Sequence, residues 1–596
     1  MPVYSDNWKQ NMGARILSHD AVDYDFIKSW IFRCNYGHGN KCQKRPVPVR
    51  PLVEIDVIHC STRKLVPVQL FSPSGHPSLE FVTLSYLWGP PQAAGQTSVV
   101  DGKIPDEVPR VIEDAITVVT KLGLEYLWID RYCIPQNDPV VRKAQIQQMG
   151  EIYARSALTI IAAAGTGPDH GLPGVSVPRI PQLSAQIGKY TIADLGFLAT
   201  DMWHSKWDTR AWTYQEGLLS PRRLVFTDHA AYFQCREMYC YENLTLPIYD
   251  LKASHLMVFD SDRVFNRIFP VAKSPPGELM KRITTLFKRE ISYDTDVLDT
   301  LVGIFAEFRD RPRMSNELVR RGSIISPACG SPEVPLDRVD TLYGLPLYHK
   351  RAFQKQHNSH LSPTAILILA LCWGISGAVL RRNVFPSWSW AGWKADQSSK
   401  DGASLSFGRL DTLINRQTWT GGDHPPPAAF PVSIEVLATD GSWTNWEKCW
   451  EDIVATPEIS EKTTALRIRG WTCNLKLERK ESKWKLHSPE KLDSQDNILD
   501  HIDEQDLGLP SQDGCTLSLK ALAVYIDYPH ALTFRDDSNK GQNVRMLLLR
   551  EIQSGDFERV GLLSHTFPGN ELSYNTRQNR FKAEGIDFQL EKLVIV

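Results

Sequence analysis

Two acidic residues stand out for their neighbours. Glu216 closes the segment Arg210-Ala-Trp-Thr-Tyr-Gln-Glu216, close to Trp207, Arg210 and Trp212. Asp130 ends the apolar run Tyr126-Leu-Trp-Ile-Asp130, and Arg131 follows it directly. A carboxyl group against aromatic walls can have an altered pKa and can stabilise a developing cation. A carboxyl at a strand end faces a cleft, and a neighbouring guanidinium can pair with it or with a ligand phosphate. Residue types alone favour a plainer account, in which Asp130 caps a neighbouring helix, Arg210 pairs with Glu216 and the Trp side chains fill core.

Other reactive residue types are less well placed. Cys133 lies just beyond Asp130, but a thiolate nucleophile needs a nearby His and the sequence supplies none, so it reads as a buried structural thiol. The pattern Cys34-x3-His38-x3-Cys42 has the look of a metal cluster. Gly37 and Gly39 interrupt it, no fourth ligand follows at a usual zinc spacing, and His59-Cys60 could join only through folding. A turn with packed thiols and no metal is the expected reading. The chain contains no GxxxxGK[ST] phosphate loop, GxGxxG fingerprint, HExxH or GxSxG elbow. ATP hydrolysis, zinc proteolysis and serine hydrolysis therefore have no support.

The two acids sit in the clearest α/β stretch of the chain. Phe81-Val-Thr-Leu-Ser85 reads as a strand running into Tyr86-Leu-Trp88-Gly89 and stopped by Pro90 and Pro91. Apolar residues recur at helical spacing from Val108 to Leu122, with Gly123 as the stop. Tyr126 to Asp130 is a buried strand. Asp138-Pro139 opens a helix with Asp as N-cap and Pro at the first position, and Ile146, Met149, Ile152 and Tyr153 line its apolar stripe. Ala157 to Ala164 is a third strand. The β-α-β-α-β order with continuous apolar strands predicts a parallel sheet covered on both faces. Ligands of such sheets gather at the carboxyl ends of the strands, here Ser85-Tyr86, Asp130-Arg131 and the loop Gly165 to Gly174. Trp203 to Arg223 reads as a loop feeding a short helix that ends near Ser220-Pro221, before a hairpin of Leu224–Phe226 with Ala231–Gln234.

Length and composition bound the rest. At 596 residues, with ~100–200 residues per domain, about three structural units are expected. Apolar residues make up 42% and charged residues 23%, which is globular usage, and the 17 Trp suggest bulky buried anchors. A formal net charge of −2 gives no field that would draw nucleic acid or anionic lipid. The 11 Cys are odd in number and scattered, which fits a reducing compartment, and no signal-peptide core follows Met1 to Gln10. A cytoplasmic location is the expectation. The apolar run Pro363 to Leu380 is short of the ~20 residues of a spanning helix and broken by Gly374, Ser376 and Gly377. It reads as a buried strand or core segment, with no membrane span.

Four regions are expected: an N-terminal extension with a short helix and strands (1–80), an α/β domain (81–217), a mixed, helix-leaning region (218–360) and a β-rich region (361–596). Asp23 to Phe32 supplies the short helix. Pro386–Trp393 (PSWSWAGW) alternates aromatic and small residues as a half-buried strand would. Polar breaks at Gly421–Pro427 and Ser488–Gly514 separate the later strands.

Three separated blocks then resemble a known family. LSYLWG (Leu84–Gly89), LWIDRYCIPQND (Leu127–Asp138) and RAWTYQEGLLSPRRLVF (Arg210–Phe226) follow the order of the fungal heterokaryon-incompatibility (HET) domain. KAQIQQMGEIYARS fits the helix after the second block, and PVRPLVEIDV, PSWSWAGW and FERVG resemble the flanks of such proteins. The resemblance implies nonself recognition and regulated cell death. It also implies kinship with TIR domains, whose flavodoxin-like sheet supports cleavage of NAD+ between nicotinamide and ribose by a Glu in a Trp-Cys-x-x-Glu segment. Trp212-Thr213-Tyr214-Gln215-Glu216 keeps that Trp-to-Glu spacing, which carries the catalytic role onto Glu216, with Thr213 in place of the Cys. NAD+ would then be substrate, and no cofactor is expected. By residue type, Tyr86 or Trp88 could stack on nicotinamide, Arg131 or Arg210 could hold the pyrophosphate, and Ser85, Asp130 and Trp212 would line the same cleft. Action as a homo-oligomer is expected, with an incompatibility partner that the sequence does not identify. The rival reading is a recognition or oligomerisation scaffold that hydrolyses nothing.

Overall fold

The computed structural model describes residues 14–37, 42, 54–70, 77–89, 99–245 apart from 197, 248–249, 268–270, 277–309, 311–312, 336–348 apart from 338, 362–399, 402–407, 433–450 apart from 439 and 449, and, with gaps, 464–596. The chain gathers into two compact units. One comprises Met1–Ser274 with Arg289–Ile291 and Val302–Ile304. The other comprises Pro275–Lys288, Ser292–Leu301 and Phe305–Val596.

The first unit begins with α1 (Tyr24–Gly37), β1 (Glu54–His59), β2 (Lys64–Gln69) and β3 (Phe81–Ser85). Next come α2 (Arg110–Lys121), β4 (Tyr126–Trp128), the single turn α3 (Asp130–Cys133), α4 (Pro139–Gln147), α5 (Met149–Arg155) and β5 (Leu158–Ala162). A small hairpin, β6 (Ser184–Ile187) with β7 (Tyr190–Ala193), leads to α6 (Leu198–Trp203) and α7 (Ala211–Leu219). β8 (Arg222–Phe226), β9 (Ala231–Cys235), β10 (Met238–Tyr241) and β11 (Ile248–Tyr249) follow.

Nine strands form one sheet in the order β11-β10-β9-β8-β5-β3-β4-β1-β2. Its centre, β4-β3-β5-β8, is parallel throughout. Counted among themselves, these four strands run 2-1-3-4, the doubly wound order in which the first and third strands part to opposite sides and open a crevice at their carboxyl ends. The sheet is parallel only there, because β1 and β2 extend one edge and β9 to β11 the other, all antiparallel. Short connections explain the antiparallel pairs β1-β2, β8-β9 and β9-β10, whereas β1 joins β4 across a long stretch of chain.

Both faces are covered, and the strand alternation sorts residues between them. Ile160, Leu224 and Phe233 join one core with Trp30, Ile112 and Val119, while Ile161, Val225 and Tyr232 join a second with Trp207 and Met202. The register pairs Ser85 with Ile161, so Ser85 faces the Trp207 side. The helix ends obey local chemistry. Asp138 caps α4 by accepting the amides of Val140 and Val141, with Pro139 at the first position. Gly123 takes a positive φ just beyond α2. The expected stripe from Ile146 to Tyr153 is divided between α4 and α5.

The second unit holds helices at Gly277–Phe287 and within Pro363–Leu371, and a mainly antiparallel sheet that includes Leu466–Lys480, Thr516–Asp527, Gln542–Glu551, Phe557–Phe567 and Gln589–Ile595. The apolar run from Pro363 is a buried helix capped by Ser362, and it gives way to short strands at Gly374–Ser376 and Val379–Arg381. No helix among the described residues is long and apolar enough to cross a membrane. PSWSWAGW is not the expected half-buried strand. It folds as a tight turn whose Trp388, Trp390 and Trp393 are all buried. Trp390 and Trp393 donate their indole N–H groups to the carbonyls of Gly344 and Ser387. Satisfying bulky indoles in a core favours a turn that can aim them separately. Most of the break at Ser488–Gly514, all of Gly421–Pro427, and His38 lie outside the described residues.

Candidate functional site

The site is built at the carboxyl ends of β3 and β4, beside α7. Beyond Ser85 the chain turns at Gly89, where φ is +75° and an added Cβ would sit 2.8 Å from the Pro168 ring. This turn brings Trp88 back over the start of α3. Its indole N–H lies 3.0 and 2.9 Å from the two carboxyl oxygens of Asp130. The amide of Arg131 donates to the same carboxyl at 2.8 Å. The Arg131 guanidinium, buried, donates to the Trp88 carbonyl at 2.7 Å and lies 5.1 Å from the centre of the Trp88 ring. Asp130 and Arg131 are thus each locked to Trp88, side chain to side chain and side chain to backbone.

Glu216 comes from the opposite wall. It is 5% exposed, on α7, between Gln215 and Gly217. Gly217 is required by its neighbours: a Cβ there would meet Phe269 at 2.5 Å and Trp207 at 2.9 Å. Without that Cβ, Trp207 packs close against α7 and donates its indole N–H to Ser85 Oγ at 2.8 Å. Ser85 in turn donates to Glu216 Oε2. The direction of this chain is fixed, because an indole nitrogen can only donate, so the hydroxyl proton is aimed at the carboxyl. Thr213 holds the approach to the helix, with its hydroxyl 2.6 Å from the Trp207 carbonyl and 3.0 Å from that of Arg210. Arg223 closes the far end of α7 on the carbonyls of Gly217 and Leu218.

The electrostatics follow from this geometry. Burial pushes the Glu216 carboxyl up to about 7, and the charge of Asp130 adds to the rise. Hydrogen bonds with Ser85 and Tyr153 and the field of Arg210 oppose it. Burial likewise lifts Asp130 to about 6 against the Trp88 bond, the Arg131 amide and the two Arg charges. Two acids that share a poorly solvated site disfavour each other's ionisation. Arg210 is half-buried at the start of α7 and acts on both carboxyls through space, but it forms no salt bridge with either. The expected pairing of Arg210 with Glu216 is therefore absent among the described residues. Tyr86 is buried beside both acids, and its hydroxyl has no hydrogen-bond partner among the described residues.

Of the residues singled out by sequence, the structure brings Ser85, Tyr86, Trp88, Asp130, Arg131, Arg210 and Glu216 into this one electrostatic neighbourhood. Trp212 is half-buried and packs against the core. Cys133 is buried, burial pushes its thiol up, and its sulfur accepts the Ile129 amide at 3.3 Å. Two participants escaped the sequence reading. Trp207 was visible only as a nearby aromatic. Tyr153 read as one position of an apolar stripe, yet its hydroxyl donates to the Leu84 carbonyl at 3.1 Å and lies close enough to Glu216 to influence its carboxyl. A tyrosine among Ile and Met on a core-facing stripe was the only signal, since its hydroxyl needs a partner when buried.

Residues 81–216 match the family described as heterokaryon incompatibility protein (HET), so this chain carries a HET domain, and Glu216 is the last residue matched. No curated protein and no solved structure matches the chain.

Proposed function

We propose that this HET-domain protein is a cytoplasmic effector of nonself recognition and regulated cell death that acts by hydrolysing NAD+ at its N-glycosidic bond, with Glu216 as the catalytic carboxylate. One observation carries the reading: a buried glutamate at the mouth of a doubly wound sheet, held by neutral donors and facing a second acid rather than an ion-pair partner. Such a carboxyl is not needed to neutralise a neighbour. It is poised for a cationic ligand.

The chemistry is balanced without a general acid. As the bond between ribose and the pyridinium nitrogen breaks, its electron pair returns to the ring, nicotinamide leaves neutral, and positive charge develops on the ribose carbon. Water then attacks that carbon and releases a proton, giving ADP-ribose. A Glu216 carboxylate stabilises the developing charge and holds ribose hydroxyls. A pyridinium entering the site lowers the Glu216 pKa through the same Coulombic logic by which Asp130 raises it, so substrate favours the ionised form. The orphaned Tyr86 hydroxyl gives a ligand atom a partner, and Trp88 offers a ring face for nicotinamide. Arg131 is occupied by the Trp88 carbonyl, which leaves Arg210 as the better placed cation for the pyrophosphate. The Trp-to-Glu spacing of α7, shared with TIR enzymes, supports the same assignment. Homo-oligomerisation would switch the activity on.

The full-length wild type and Glu216→Gln, each alone and fused to a forced-oligomerisation module, should be compared for NAD+ content in cells and for NAD+ turnover when purified. Loss of at least ~100-fold in turnover in Glu216→Gln is expected, in line with removal of a preorganised electrostatic stabiliser. A wild type that never consumes NAD+, even when oligomerised, ends the enzyme reading and leaves the scaffold. A Glu216→Gln protein that keeps full turnover removes the role from this residue.

A further inference from the structure

Three cysteines, two from one short stretch of sequence and one from a distant strand, meet in the first unit. Cys34 comes from α1, Cys42 from the chain beyond it, and Cys235 ends β9. Their sulfur atoms all lie within 4.8 Å of one another, and all three residues are buried. Sequence supplied two members of this group. The third is about two hundred positions away and arrives only because α1 packs across β9. His59 is not part of it, since its ring bonds to Ser61 and Thr62 in its own turn.

A neighbouring cation makes the group unusual. Arg222 is 7% exposed, and its Nε donates to Cys34 Sγ at 3.2 Å. Its other donors go to the Ala157 carbonyl at 3.0 Å and to Asn35 Oδ1 at 2.7 Å. Among the described residues no carboxylate lies within salt-bridge distance of Arg222. A buried guanidinium without a counter-ion is costly, and proteins normally pair it. Among the described residues, the only contact of Arg222 that can become anionic is the Cys34 sulfur.

The geometry points to a metal site in which Cys34, Cys42 and Cys235 supply three of the four ligands of one thiophilic divalent cation, zinc. Three thiolates around a divalent ion carry a net charge of −1, and Arg222 neutralises it. Zn–S bonds of ~2.3 Å in a tetrahedral arrangement need sulfurs slightly under 4 Å apart, within reach of the observed cluster. Binding converts three thiols to thiolates and releases three protons, so affinity falls as pH falls. The Arg222 N–H to sulfur bond is the outer-shell contact that orients and stabilises a metal thiolate. Held together this way, α1 and the segment at Cys42 are pinned to β9. The site lies apart from Glu216 and serves the fold.

The test uses the full chain, expressed with zinc and purified under reducing conditions. Elemental analysis should find about one zinc per chain. A thiol-specific mercurial should release that zinc, read with a chromogenic chelator. Cobalt(II) added to demetallated protein should give sulfur-to-metal charge-transfer absorption. Cys235→Ser and Cys34→Ser should lose bound metal, while Cys60→Ser, a buried thiol outside the cluster, keeps it. If the serine variants do not fold, the cobalt spectrum of the wild-type chain decides. Wild-type protein without zinc and without a cobalt–thiolate band overturns the proposal, as does a disulfide between any two of the three cysteines in the protein purified without reductant.

Discussion

Two buried glutamates of the same unit are held in opposite ways. Glu242, 1% exposed, follows β10, and Nη2 of the buried Arg179 lies 3.0 and 2.9 Å from its two oxygens. The amides of Ala231 and Asp23 complete its shell at 2.9 and 3.2 Å. Glu216 is about as deep, yet its shell is Ser85, Tyr153 and a second acid, and its nearest cation stands off. Depth does not separate the two. What separates them is whether the fold has supplied a counter-ion. Glu242 joins the N-terminal segment, the loop of Arg179 and the start of β9, and its charge is consumed in doing so. Glu216 has no ion-pair partner among the described residues.

The sharpest way to break this comparison is to neutralise each acid in turn. Glu242→Gln leaves Arg179 buried without its partner and should cost about 3–5 kcal/mol of stability, read as a shift in the denaturant midpoint followed by Trp fluorescence. Glu216→Gln should cost far less, because no buried cation is stranded. Equal losses from the two variants would mean that Glu216 is structural after all.

A second prediction concerns pH. Burial pushes the folded Glu216 carboxyl from its ordinary 4.5 up to about 7. Between these values the folded state keeps a proton that the unfolded chain has released. The associated stability is therefore fully present below pH 4.5 and is lost as pH rises through about 7. Asp130 acts in the same sense from 3.8 up to about 6. Melting temperature should decline across this window in the wild type, and Glu216→Gln should flatten the upper part of the decline. A wild type whose stability rises across the same window would reverse the sign and sink the assignment.

The smallest expected effect is at Trp88. Trp88→Phe removes the indole N–H from both oxygens of Asp130 while keeping a ring. A hydrogen bond to a charged group is worth about 1.5–3 kcal/mol, so the Asp130 pKa should climb by roughly one unit or more. Carboxyl carbon shifts followed by NMR against pH would show it. An unchanged Asp130 titration would mean that burial alone sets its acidity.

How far these features were legible in the sequence depends on their range along the chain. α2, the Asp138-Pro139 start of α4 and the hairpin of β8 with β9 are local devices, and periodicity, caps and spacing reveal them. The parallel centre of the sheet followed from continuous apolar strands separated by helices. The antiparallel flanks and the turn of PSWSWAGW were hidden, because strand partners and the aim of an indole depend on what packs against them. The same limit applies to the site. Ser85 and Asp130 stand at element ends that sequence can mark and Glu216 closes a spaced segment, whereas the hydroxyl of Tyr153 and the indole of Trp207 act through contacts that no spacing encodes. Cys235 is the extreme case, since only the tertiary fold brings it to Cys34 and Cys42.

The place of α7 in the chain has a consequence for biosynthesis. Ser85 and Asp130 emerge early from a ribosome, but α7 is the last helix before β8, which in turn completes the parallel centre of the sheet. Chains mature from the N-terminus onward. A nascent or prematurely ended polypeptide that stops short of α7 carries one wall of the site and lacks its central acid. Every copy that ends before α7 therefore lacks Glu216, whatever else of the sheet it has formed.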